Sequence, residues 1–278
     1  MPEHYEVKRI SSYLKDGGIE GNKINRLECF SGAEKILKEG SLSHWESWLV
    51  HQEIRAISVK AKYTFLELNY GTLVWHYRFT GIPHIMGLEY GARLYTIFNL
   101  PTQVKGTRFC RFQLHFEDGK LLQYFDTRCL SDIRYFPRQK PKDLDIYQKL
   151  APDLSAYVPI SFADWKKEQI GKKRNLKQEL QDQSTYPSGI GNYLACEILA
   201  HAGINPWLSV KDLDAVSYQR LCQAILEVKE LCEKSASYDW FYVFKKNECA
   251  TCYTSVERRK HGSGNTGQTT HYCPQCQA

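Results

Sequence analysis

The spacing of hydrophobic positions changes character three times along the 278-residue chain. Over residues 3 to 15, Val7, Ile10 and Leu14 recur at helical intervals, which predicts a short amphipathic helix beginning almost at the terminus. From about 50 to 135 the chain turns to short runs rich in aromatic and β-branched residues, IRAISVKAKYTFLEL, GTLVWHYRFTG and RFCRFQLHFEDGKLLQYFDTR. Such side chains suit a pleated surface, and Glu117-Asp118-Gly119-Lys120 between two alternating segments reads as a hairpin turn. An antiparallel sandwich or barrel is expected there. From about 163 to 235 the spacing is helical again, in ADWKKEQIGKKRNLKQELQDQ, GIGNYLACEILAHAGI and VSYQRLCQAILEVKELCEKS, with breaks at Pro187-Ser188-Gly189 and Asn205-Pro206. The last forty or so residues are loop-rich and hold four clustered cysteines.

The expected architecture is α+β and multidomain. An N-terminal antiparallel β-sandwich flanked by helices spans 1–150, a helix-two-turn-helix domain 151–238, and a C-terminal cysteine module 239–278. Composition supports a globular chain: 42% hydrophobic and 24% charged residues exclude the disordered and membrane classes. No stretch reaches the apolar length that spans a bilayer, and MPEHYEVKRISSYLKD lacks a basic region followed by an apolar one. An intracellular, reducing location is therefore expected. In that setting Cys29, Cys110, Cys129, Cys196, Cys222 and Cys232, scattered without pairing spacing, are expected to be mostly reduced structural thiols. The net charge of +6 is compatible with a polyanionic partner without requiring one.

Two CxxC pairs, Cys249/Cys252 and Cys273/Cys276, are the strongest local signal. Twenty residues separate them, a spacing that suits four thiolates around one zinc ion closed by a β-hairpin. Two disulfides or a redox CxxC are the alternatives. Four protein ligands would fill the coordination shell, so a zinc here is structural and supplies folding energy to a segment too polar to fold by burial alone. Between the pairs, Arg258, Arg259 and Lys260 precede a small polar turn, which suits either a phosphate backbone or a solvated loop.

Upstream, Ser188-Gly189-Ile190-Gly191-Asn192 opens a helix. Free N–H groups at a helix start bind anions and the glycines allow close approach, so this turn reads either as a phosphate site or as a packing turn. Asn192 would cap the helix or donate its amide to the phosphate. At the very start, MPEHYE likewise has two readings. Pro2 and Glu3 begin a helix, or removal of Met1 exposes the Pro2 amine as a nucleophile.

Taken in order, Pro2-Glu3 with Glu6, Val59-Lys60-Ala61-Lys62-Tyr63, LQDQ followed by GIGNYLACEILAHAGINP, and the terminal CxxC with YCPQCQ span nearly the whole chain. On these motifs the chain resembles the formamidopyrimidine-DNA glycosylase and endonuclease VIII family of base-excision repair enzymes, in its zinc-finger form. The resemblance implies a bifunctional glycosylase and abasic-site lyase acting on oxidised bases, followed by β,δ-elimination. A non-catalytic damaged-DNA-binding member of the same fold is the alternative. It implies that Pro2 is the nucleophile, that Glu3 handles protons, and that Glu6 organises the terminus. Lys62, on a strand, would contact phosphate and support catalysis, with Lys60 as its rival on the same strand face. Asn192, Gly191, Gln268 and His76 would grip the DNA backbone. Phe79, Arg128 and Leu130 would fill the gap left by a flipped base, each having an ordinary core or surface role as its alternative. The implied cofactor is one structural zinc held by Cys249, Cys252, Cys273 and Cys276. The implied partner is damaged DNA, whether duplex, bubble or single-stranded, bound by a monomer. The sequence departs from the family pattern at Gln268, where an arginine is usual, at His4-Tyr5, and in the gap-filling set. A glutamine there predicts weaker, less salt-dependent phosphate binding unless Arg258, Arg259 or Lys260 compensates.

Overall fold

The computed structural model describes residues 2–90, 107–235, 237–261 and 268–278. The chain divides into two compact units, Met1–Lys149 and Leu150–Ala278.

The first unit opens with α1 (His4–Asp16), whose Val7, Ile10 and Leu14 are fully buried, as their spacing requires. Helix entry is fixed by a capping box: the Glu3 side chain accepts the Glu6 N–H, while the Glu3 N–H donates to Glu6 Oε2 at 2.7 Å. Eight strands follow among the described residues: β1 (Ile24–Cys29), β2 (Ile54–Lys60), β3 (Tyr63–Leu68), β4 (Gly71–His76), β5 (Gly81–Ile85), β6 (Cys110–Phe116), β7 (Leu121–Asp126) and β8 (Asp132–Pro137). They form two four-stranded sheets, β1-β6-β7-β5 and β2-β3-β4-β8, with antiparallel neighbours. This is a sandwich rather than a closed barrel. Trp75 of β4 meets Phe112 of β6 and Tyr124 of β7 edge-on, so aromatic side chains of the two sheets build one core. The Glu117–Lys120 turn joins β6 to β7 as the sequence suggests, with Gly119 at φ +84° supplying the left-handed residue. Short helices α2 (Ala33–Ile36), α3 (Leu42–Leu49) and α4 (Asp145–Gln148) complete the unit's described helices.

One expectation changes here. Lys62 does not lie on a strand: β2 ends at Lys60, β3 begins at Tyr63, and Ala61-Lys62 form the turn, with Ala61 at φ +53°. Lys60 and Lys62 therefore do not share a strand face.

The second unit contains α5 (Phe162–Glu168), α6 (Leu176–Gln181), α7 (Asn192–His201) and α8 (Ala215–Lys234). The segment ADWKKEQIGKKRNLKQELQDQ, read as one helical stretch, is broken into α5 and α6. Gly171 at φ +78° ends the first run, and Asn175 caps the second by accepting the Gln178 N–H at 3.0 Å. The cysteine module carries an antiparallel hairpin, β9 (Glu257–His261) with β10 (Gln268–Tyr272); its small polar tip, 262–267, lies outside the described residues. This module is fastened to α7. The buried Glu197 carboxylate accepts N–H groups from Val243 at 3.1 Å and Phe244 at 2.6 Å, and Cys196 packs against Cys249 and Cys273. No helix among the described residues is long and apolar enough to cross a membrane.

Candidate functional site

In the first unit, the terminus and the Lys62 turn are physically joined. His4 Nδ1–H donates to the Ala61 carbonyl at 2.9 Å inside the protein, holding the residues after Pro2 against the turn. Pro2 is buried, immediately before the Glu3 cap, so the helical reading and the chemical reading of MPEHYE concern the same rigid start. Lys62 is buried, and its pKa is lowered chiefly by desolvation; the Glu3 carboxylate opposes that shift and the Arg78 guanidinium adds to it. His76, at the end of β4, leans on the Tyr63 ring with centroids 4.6 Å apart. Burial, with Arg78 and Lys62 nearby, pushes its imidazole down to about 3, so it is neutral at physiological pH. Glu3, Lys62, His76 and Arg78 thus form one electrostatic cluster. Lys60 has a different commitment: its ammonium donates to the Tyr147 carbonyl at 2.8 Å and sits over the Tyr147 ring.

Phe79 and Leu130 are large apolar side chains left 50% and 40% exposed. Arg128 lies over the Phe79 ring, 5.2 Å from its centroid, so these two candidates share one patch.

The second unit brings Asn192 and the β10 strand together. Gly191 is the N-cap of α7 and Asn192 the first helical residue, so Asn192 does not cap the helix. Its Oδ1 instead accepts from Lys177 Nζ at 2.8 Å, and its Nδ2 donates to the Thr269 carbonyl at 3.0 Å. Lys177 is fully buried on α6 and also donates to Thr270 Oγ1 at 2.6 Å. A buried cation thus ties the two helices of the glycine turn to the hairpin. Gln268 is exposed, and its Oε1 accepts from Gln181 Nε2 at 2.7 Å.

Strand register decides whether a neighbouring cation can replace the missing arginine. Thr270 pairs with Arg259, whereas His271 pairs with Arg258 and Thr269 with Lys260. Side chains alternate along β10, so Arg258 and Lys260 project from the face opposite Gln268. Arg259 shares the Gln268 face but is held by Glu257 at 2.7 Å and by the Trp207 and Tyr272 rings. None of the three supplies charge beside Gln268 in this arrangement.

The four clustered cysteine sulfurs lie within 4.8 Å of one another, with Cys249 and Cys276 at 4.0 Å and Cys252 and Cys273 at 3.4 Å. A tetrahedral zinc with Zn–S near 2.3 Å requires sulfurs about 3.8 Å apart, whereas a disulfide requires about 2.05 Å. The donor set and its spacing fit one four-thiolate metal ion.

Sequence reading missed Lys177, Arg78 and His4 as parts of these clusters. Arg78 alone carried a local signal, lying between His76 and Phe79 in WHYRFTG.

A family model described as Formamidopyrimidine-DNA glycosylase N-terminal domain matches residues 1–133. A formamidopyrimidine-DNA glycosylase of Crocosphaera subtropica is 32% identical over 193 residues, 62% of this chain and 65% of that protein, so the match spans just under two thirds of that relative. The same enzyme of Heliobacterium modesticaldum is 27% identical, with all of both chains covered. Among solved structures, Lactococcus lactis formamidopyrimidine-DNA glycosylase, bound non-covalently to DNA containing an abasic site, superposes with a TM-score of 0.80 over 99% of each chain at 20% identity. The same protein with DNA containing Fapy-dG gives 0.78 over 98% of each chain, also at 20% identity. At that identity the likeness concerns the fold.

Proposed function

We propose that the chain is a member of the formamidopyrimidine-DNA glycosylase family, and that it excises oxidised bases from DNA and cleaves the strand at the resulting abasic site. The observation that carries this reading is the fixed start of the chain: Pro2 precedes a capped Glu3 and is held against the Lys62 turn by His4. A binding module would have no use for such a terminus.

With Met1 removed, Pro2 presents a secondary α-amine. Such groups titrate near pH 8, so an appreciable fraction is neutral at physiological pH. Its lone pair attacks C1′ of the damaged nucleotide; the N–C1′ bond forms as the glycosidic bond breaks, and the electron pair leaves with the base, which takes up a proton. The N–H proton of the attacking amine passes to Glu3, which delivers a proton to O4′ as the C1′–O4′ bond opens, giving an iminium ion. Loss of a C2′ proton then expels the 3′ phosphate, a second elimination expels the 5′ phosphate, and addition of water to the iminium carbon frees Pro2. Lys62 and neutral His76 hold phosphate beside the lesion, the first as a cation and the second as a hydrogen-bond donor, with Arg78 adding charge. In the second unit Asn192 Nδ2 carries a second hydrogen to donate to the lesion strand, and the positive end of the α7 dipole faces the same backbone charge. The four cysteines hold one zinc ion, which supplies hairpin stability and no reaction step. The protein acts as a monomer, inside the cell, wherever the genome lies.

Single-turnover incision of duplexes carrying one oxidised base tests this reading. Expected are base release and strand breaks with phosphate at both ends; an intact strand at enzyme excess contradicts it. Gln268 favours the second reading, a non-catalytic binder of damaged DNA, which predicts lesion binding without strand breaks. The neutral contact itself has a signature. Gln268→Arg is expected to steepen the fall of log affinity with log salt by about 0.9, the value of one added phosphate contact. An unchanged slope in a salt titration would remove Gln268 from the backbone contacts.

A further inference from the structure

The loops carrying Phe79, Arg128 and Leu130 run between the two sheets at one end of the sandwich. Residues 77–80 connect β4 to β5 and residues 127–131 connect β7 to β8, where Gly81 pairs with Asp126 and His76 with Asp132. Asp126 is fully buried at their junction. Its Oδ1 accepts from the Thr80 hydroxyl of the first loop and from the Arg128 N–H, at 3.1 Å, of the second. Its Oδ2 accepts from the Leu130 N–H at 2.9 Å, the Ser131 N–H at 2.8 Å and the Ser131 hydroxyl at 2.7 Å. Ionised aspartate is acceptor-only, so both oxygens suit this ring of donors, whereas an asparagine would turn an NH2 group against some of them.

Backbone strain lies at matching places. Arg78 at φ +50° immediately precedes Phe79, and Cys129 at φ +51° immediately precedes Leu130. Left-handed non-glycine residues are strained and persist where surrounding bonds over-determine them. Packing around the junction leaves no slack: a Cβ on Gly81 would stand 2.1 Å from Ser131 Oγ and 2.8 Å from the Tyr77 carbonyl oxygen.

We propose that Asp126 is a positioning residue that fastens the two loops into one preassembled wedge, so that Phe79, Arg128 and Leu130 enter the base stack together. The inference rests on the gap-filling reading of those three residues. Asp126 touches no reacting atom in this account; it acts through the loops it holds.

A double-mutant cycle tests it, read as the ratio of excision in duplex to cleavage of the same lesion in a single strand, where no gap has to be filled. In the otherwise unchanged protein, Phe79→Ala and Arg128→Ala are each expected to lower the ratio about tenfold, and the pair together no more than about tenfold, because they act as a unit. In a Thr80→Val background, which removes the bond from the first loop and leaves the second loop's bonds to Asp126 in place, the two losses are expected to multiply to about a hundredfold. Asp126→Asn is expected to do the same, and Thr80→Val guards against failure of the buried variant to fold. Multiplying losses without Thr80→Val, or an identical cycle with and without it, would overturn the coupling while leaving the gap fillers in place. If neither single variant lowers the ratio, the gap-filling reading fails and the coupling falls with it.

Discussion

Glu3→Gln is expected to lower base excision from an oxidised duplex by about a hundredfold to ten-thousandfold, the usual contribution of a positioned acid-base group. Glutamine retains a side-chain carbonyl that can accept the Glu6 N–H, so the capping of α1 survives and the loss reports proton transfer rather than a frayed terminus. Single-turnover kinetics provide the measurement, with far-ultraviolet circular dichroism as the check on folding. Excision within a few fold of the unmodified rate would remove Glu3 from the chemistry.

Removing the metal is expected to act on binding rather than on bond making. Four thiolates left without zinc repel or protonate, and the hairpin has little apolar burial to replace the metal, whose apparent contribution in such modules is about 10–16 kcal/mol. Loss of β10 frees Thr269 and Thr270, which hold Asn192 and Lys177. Chelation is therefore expected to weaken duplex binding at least about tenfold, the equivalent of about 1.4 kcal/mol. Released metal should appear at one equivalent of zinc per chain. Unchanged affinity of the metal-free protein would separate the hairpin from the DNA contact.

Legibility in the sequence followed how local each cause is. Val7, Ile10 and Leu14 announced a helix because a buried helical face has its own period, and the Glu117–Lys120 turn announced a hairpin because glycine alone readily takes the left-handed position. The CxxC pairs were legible because ligand spacing is written directly in the chain. The turn at Lys62 is not legible in the sequence because the end of β2 depends on pairing rather than on residue type; Ala61, at φ +53°, gives no turn signal. Lys177 was invisible as a buried group, since lysine is almost never fully buried and its partners stand 15 and 93 residues away. Asp126 was hidden for the same reason: the first loop's Thr80, which gives it meaning, lies 46 residues earlier. Asn192 was found by its motif, yet its bond to the Thr269 carbonyl came only with the fold.

The central claim, that the chemistry sits on the amine of Pro2, is tested most directly by borohydride reduction of the protein on an abasic-site duplex, followed by peptide mapping. Intact mass first establishes that Met1 is absent, because a retained methionine would leave Pro2 nitrogen in a tertiary amide. The expected result is one covalent protein–DNA adduct, carried by the peptide that begins at Pro2. A protein lacking Met1 that binds the duplex and yields no adduct, or an adduct mapped to a lysine, would contradict it.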